Sequence, residues 1–144
     1  MNKKFNSIFV LILILFSLQI SYADYITDTV KNNGNAVVLI GTFDKDKKPK
    51  SLGSGFIAKP DGIIITNFHV IEGVEYASIK LLNGEIYDVV GVIDYDSTRD
   101  IAVIKVKASN LPCVKMGNSN NIKIGEKVVA IGNPEGLQIG RAHV

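Results

Sequence analysis

The chain has 144 residues, 16 Lys and Arg against 14 Asp and Glu, one Cys, and 47% hydrophobic residues. That length holds one ordinary domain, or one and a fragment, and the composition is too apolar and too lightly charged for a disordered chain. A net charge of +2 makes no case for nucleic-acid binding, one Cys excludes a disulfide framework or multi-Cys metal site, and two His residues leave little scope for histidine metal chemistry.

At the N-terminus, Lys3 and Lys4 precede a nearly unbroken apolar run from Ile8 to Ile20, and Ser21 and Ala23 are small residues just before Asp24. A basic start, an apolar core and a small-residue exit make residues 1–23 a secretory signal peptide cleaved after Ala23. The run is about 13 residues, short of the ~20 that span a bilayer as a helix. An uncleaved N-terminal anchor is the alternative reading. Lys3 and Lys4 are lost with this segment, which leaves the remainder neutral.

From Asp24 onwards the pattern is β. Ala36–Phe43 is apolar and rich in β-branched residues, and Leu52–Ala58 and Ile63–Thr66 flank Pro60-Asp61-Gly62, a turn sequence, so 52–66 reads as a hairpin. Lys45–Lys50 reads as a solvated hairpin loop. Ala77, Ile79 and Leu81 alternate with Tyr76, Ser78 and Lys80, the period of a half-buried strand. Asn83-Gly84 then predicts a type I′ turn into a strand at Ile86–Ile93. Asp100–Val106 and Lys127–Ile131 are the last strand candidates. Only Tyr25–Asn32 and a turn after His69 carry helix signals. Short strands separated by Gly-rich turns point to an all-β barrel or sandwich.

Two places carry chemistry. His69 follows a run of isoleucines, at a strand end where a rigid scaffold presents an exposed side chain. Asp100 opens an apolar strand, where a carboxylate risks partial burial and needs a donor or a charge partner. Taken singly, His69 reads equally as a structural histidine, and Asp100 as a turn residue bonded to local backbone or paired with Arg99.

The blocks around them occur in a set order: Gly53-Ser54-Gly55-Phe56-Ile57, Asp61-Gly62, Ile65-Thr66-Asn67-Phe68-His69-Val70-Ile71, Asp100-Ile101-Ala102-Val103-Ile104-Lys105, Leu111-Pro112, Gly117-Asn118-Ser119, and Val129 through Leu137. From Ala36 to Leu137 the chain resembles the HtrA/Deg family of trypsin-like serine proteases. It departs at Phe68, where the family usually has a second Asn, and at Glu135, often Phe. The resemblance implies that His69 is the general base and Asp100 the acid that orients it. It implies a complete antiparallel β-barrel over 24–107, a linker and first strand of a second barrel over 108–138, and no metal or cofactor. It also implies an exported, periplasmic endopeptidase acting on unfolded proteins, with no nucleic-acid or further membrane partner, assembled as a homo-oligomer.

The family's nucleophile belongs to a Gly-Asn-Ser-Gly-Gly-like segment of the second barrel, which these 144 residues do not contain. The chain alone is therefore expected to be inactive. Ser54 matches a first-barrel strand, and Ser119 is followed by Asn120-Asn121 rather than by glycines whose backbone could form an oxyanion hole. Cys113, a nucleophile in principle, reads as a partly buried structural cysteine. Ile139–Val144 leaves the family pattern and matches one reading frame of a sequencing-library adapter, so it reads as a non-native tail. Two other functions stay open: a catalytically inert protease-like binding module, and an unrelated exported β-barrel ligand binder.

Overall fold

The computed structural model describes residues 26–132. The signal-peptide segment, Glu135 and the tail at 139–144 lie outside the described residues. A helix over 26–33 (α1) leads through a 3-10 turn at Gly34–Ala36 into β1 (Val37–Phe43), β2 (Pro49–Lys59) and β3 (Ile63–Thr66). A short helix, α2 (Phe68–Ile71), separates these from β4 (Tyr76–Lys80), β5 (Ile86–Asp96) and β6 (Ile101–Val106). The six strands close an antiparallel barrel in the order β1-β2-β3-β6-β5-β4. Closure pairs each strand on both sides over part of its length, which removes the open edges of a flat sheet.

The alternation in the sequence decides which side chains fill the barrel. In β6, Ala102, Ile104 and Val106 are buried while Ile101, Val103 and Lys105 are not. In β3, Ile64 turns inward between Ile63 and Ile65. Val38, Ile40, Ile57, Ile64, Ile79, Ile104 and Val106 are fully buried and form one cluster, each such side chain contributing roughly 1.5–3 kcal/mol. The stretch after β6 is irregular but tied down. Leu111 enters the same cluster and its N–H donates to the Pro60 carbonyl at 3.0 Å, while Val114 N–H donates to Ile57 at 3.0 Å.

Three expectations change. The Asn83-Gly84 connection is a three-residue loop. Leu81 N–H donates to the Glu85 carbonyl at 2.9 Å, Gly84 N–H to the Leu81 carbonyl at 3.0 Å, and Gly84 has φ +91. Asn83 is not among the residues with positive φ, so the turn is an ordinary one closed by a left-handed glycine, the alternative geometry for this loop length. Lys127–Ile131 forms no strand: 127–129 are irregular and Ala130 makes an isolated bridge. A strand is stable only when partners take up its backbone groups, and β-propensity alone does not supply them. Cys113 is exposed rather than partly buried, because the flanking Leu111 takes the place in the core.

Candidate active site

β3 runs into the site and α2 presents it. Thr66, at the end of β3, is 6% exposed, and its Oγ1 donates to the Ser54 carbonyl of β2 at 2.8 Å, which fixes the point where the chain leaves the barrel. Asn67 occupies the N-cap position of α2 but makes no side-chain bond to that helix. Its Nδ2 reaches across to Asp100 instead, donating to Oδ2 and to the carbonyl oxygen, both at 3.1 Å.

Gly53 allows the approach of α2 to the barrel wall, and Gly55 the close packing of β2 on its neighbours. A Cβ on Gly53 would lie 2.6 Å from both methyl carbons of Val70, and one on Gly55 would lie 2.9 Å from the Ile40 side chain and the Ile65 carbonyl oxygen. Gly53 therefore seats the helix that carries His69. Val70, the residue after His69, is buried in the core at 5% exposure.

Asp100 lies just before β6 in the left-handed region, at φ +54, a conformation that Asp tolerates better than most residues. Its Oδ1 accepts the backbone N–H of His69 at 2.9 Å, and its Oδ2 lies 2.7 Å from His69 Nδ1. An ionised carboxylate only accepts, so Nδ1 carries the proton and Nε2 is the basic nitrogen. The bond from the His69 backbone N–H, and next the bond from its ring, hold the Asp100 carboxyl below the usual carboxylate range, against a smaller opposing effect of desolvation. Arg99 pairs with Asp96 at 3.3 Å, so the structure brings Asp100 to His69 and not to Arg99.

The two side chains singled out in the sequence thus meet. The His69 side chain is 68% exposed and that of Asp100 is 41% exposed, which leaves Nε2 open to an incoming group. Asn67 and Gly53 were legible only as members of sequence blocks, and their roles appear once β2, α2 and Asp100 are together. Ser119 lies on an exposed 3-10 turn, Ser119–Asn121. The Ser54 hydroxyl oxygen is 3.9 Å from where a Cβ on Gly132 would stand, and its carbonyl serves Thr66. Among the described residues no group of three or more His, Cys, Asp and Glu is placed to hold a metal ion.

Known proteins resemble the chain in sequence and in fold. The family described as "Trypsin-like peptidase domain" matches residues 53–142. A probable periplasmic serine endoprotease DegP-like of Pseudomonas savastanoi is 45% identical over 97 residues, covering 67% of this chain and 20% of that protein. A protein of the same name from Chlamydia pneumoniae is 40% identical over 119 residues, covering 80% of this chain and 23% of that protein. The crystal structure of the serine endoprotease from Yersinia pestis superimposes with a TM-score of 0.69 at 34% identity, covering 78% of this chain and 40% of the other. The chain spans about a fifth of the length of these curated relatives. The family match, the closed barrel and the meeting of His69 with Asp100 together show that the chain belongs to the trypsin-like serine proteases, as a member of the HtrA/Deg family.

Proposed function

We propose that this chain supplies the general base and the orienting acid of an exported serine endopeptidase that cleaves unfolded proteins through an acyl-enzyme. The observation that carries the reading is the double hold of Asp100 on His69, at the backbone N–H and at Nδ1. With Nδ1–H committed to the carboxylate, Nε2 faces outward as a base. It takes the proton of a serine hydroxyl as that oxygen attacks the peptide carbonyl, and later returns a proton to the leaving amine. Asp100 stabilises the imidazolium in between and stays ionised. No step requires a metal or cofactor.

On this reading the nucleophilic serine and the oxyanion hole belong to a second barrel outside these residues, and the chain alone does not hydrolyse peptides. The basic-then-apolar start of the sequence and the printed names of the relatives support export to the periplasm. No helix among the described residues is long and apolar enough to cross a membrane, which says nothing of spans made of strands. The homo-oligomeric state rests on the family resemblance.

A serine-reactive fluorophosphonate probe tests the reading on the full product of the gene. Labelling is expected in the wild type and lost in His69→Ala. No labelling of a product that has an intact serine would point to a latent form, and a residue other than Ser at the nucleophile position would reject the enzyme reading and favour an inert binding module. Hydrolysis of unfolded casein by the 144-residue chain, abolished by His69→Ala, would refute the assignment of the serine to a second barrel.

A further inference from the structure

The strand that leads to Asp100 loses one of its two neighbours part-way along. β5 pairs with β4 through Ile86, Tyr87 and Asp88, then runs on to Asp96 with β6 as its partner. β6 in turn pairs with β3 from Ala102 to Lys105. The Tyr95↔Ala102 rung is backed by β3 through Ala102↔Thr66, so only the last rung, Asp96↔Ile101, and the turn bearing Asp100 extend beyond β3, as a two-stranded arm with Tyr95 at its base. Such a ribbon is marginal by itself. Register shifts at Val89/Gly91 and Val92/Asp94 break the β5–β6 ladder twice ahead of it, and a Cβ on Gly91 would meet nothing within 4 Å.

This arm touches α2 at two points. On one strand, the Tyr95 ring stacks on Phe68, with centroids 4.8 Å apart and planes 19° from parallel. On the other, Asp100 holds His69 and accepts from Asn67. Phe68 and His69 are consecutive residues of α2, so the ring stack and the base–acid contact close the same joint. Tyr95 is 59% exposed, so core packing does not account for its position.

We propose that Tyr95 is a positioning residue. By stacking on Phe68 at the base of the arm it clasps the end of the β5–β6 hairpin to α2, and so holds Asp100 on His69. The proposal deepens the base–acid reading of these two residues and rests on it for its catalytic meaning.

Amide hydrogen exchange on the 144-residue chain tests the clasp without requiring activity. The His69 N–H donates to Asp100 Oδ1, so its exchange reports release of the arm. The Ile104 amide, in the fully buried part of β6, reports opening of the barrel. In the wild type His69 should exchange faster than Ile104, through an opening of the arm. Tyr95→Ala should lower His69 protection by about two- to tenfold, the range set by the worth of an aromatic stack. Tyr95→Phe, which keeps the ring, should restore it.

A stack that served stability alone would lower protection at Ile104 and leave His69 unchanged, and that result would overturn the proposal. Equal protection of the two amides in the wild type would overturn it as well. Should Tyr95→Ala not fold, Tyr95→Leu keeps apolar area without the ring and is judged on the same two amides. A failure here leaves the fluorophosphonate result untouched, and the reverse also holds.

Discussion

Gly53→Ala is the sharpest test of how the barrel seats its base. The added Cβ would lie 2.6 Å from Val70 Cγ1 and Cγ2 and 3.2 Å from Val70 Cβ. Ordinary carbon contacts lie near 3.5–4.0 Å, so the helix must retreat by about 1 Å or the barrel wall must yield by as much. Val70 cannot swing aside cheaply, because it is 5% exposed and packed in the core. Overpacking of this kind costs about 1–3 kcal/mol, and at 4–8 °C per kcal/mol for a domain near 100 residues the melting temperature should fall by roughly 4–20 °C. Because α2 also carries His69, a shift of about 1 Å should cost the assembled enzyme on the order of 10²-fold in rate. The assay is thermal unfolding of the chain by circular dichroism, for Gly53→Ala, Val70→Ala and the double variant. Val70→Ala removes both clashing methyls and by itself costs roughly 2 kcal/mol. The double variant should be more stable than the sum of the single effects by at least about 1 kcal/mol. A Gly53→Ala protein that melts with the wild type, or a strictly additive double variant, would refute the close-approach argument.

Four further outcomes are expected. Asp100→Asn should lower kcat of the full enzyme by about 10⁴-fold, because an amide no longer fixes the Nδ1–H tautomer of His69, and steady-state kinetics on an unfolded substrate would read it. The Asp100 carboxyl is held below its ordinary range, so it binds fewer protons folded than unfolded. Its stabilising contribution is therefore complete above the unfolded carboxylate value, near ~4, and is lost as pH falls through the lowered folded value. The difference in melting temperature between wild type and Asp100→Asn should shrink as pH falls from about 5 towards 2, and a difference that grows over that range would contradict the assigned hydrogen bonds. Thr66→Val should destabilise by about 1–2 kcal/mol in urea unfolding, since it leaves the part-buried Ser54 carbonyl without its donor at 2.8 Å. Gly62→Ala should cost about 2 kcal/mol or more by the same measurement, because Gly62 has φ +93 and its Cβ would stand 2.5 Å from the Val106 carbonyl oxygen.

Much of this protein is written locally. Alternation along Tyr76–Leu81 and Ile101–Val106 marks which residues face the core, since successive side chains of a strand point to opposite faces whatever they pair with. Pro60-Asp61-Gly62 marks a hairpin because Gly62 adopts φ +93 without a Cβ penalty. His69 and Asp100 could be singled out by residue type and by their place at strand ends, and the order of blocks around them pointed to the family.

The tertiary structure decided what depends on register and on contacts between distant residues. The ladder that sets Thr66 opposite Gly55 and Ala102 brings α2 beside the turn before β6, and only then does Asn67 leave its own helix for Asp100. The sterics of Gly53 against Val70 appear in no local pattern, because they are fixed by where one strand and one helix meet. Strand propensity at Lys127–Ile131 went unused because pairing, not propensity, makes a strand, and Cys113 is exposed because Leu111 fills the core beside it. The sequence by itself determined which faces are apolar, where the chain turns and which residues have reactive chemistry. Closure of the barrel decided which of those residues touch, because hydrogen-bond distances of 2.7–3.1 Å between Asp100 and the Asn67–His69 segment require strands far apart in sequence to be held in one register.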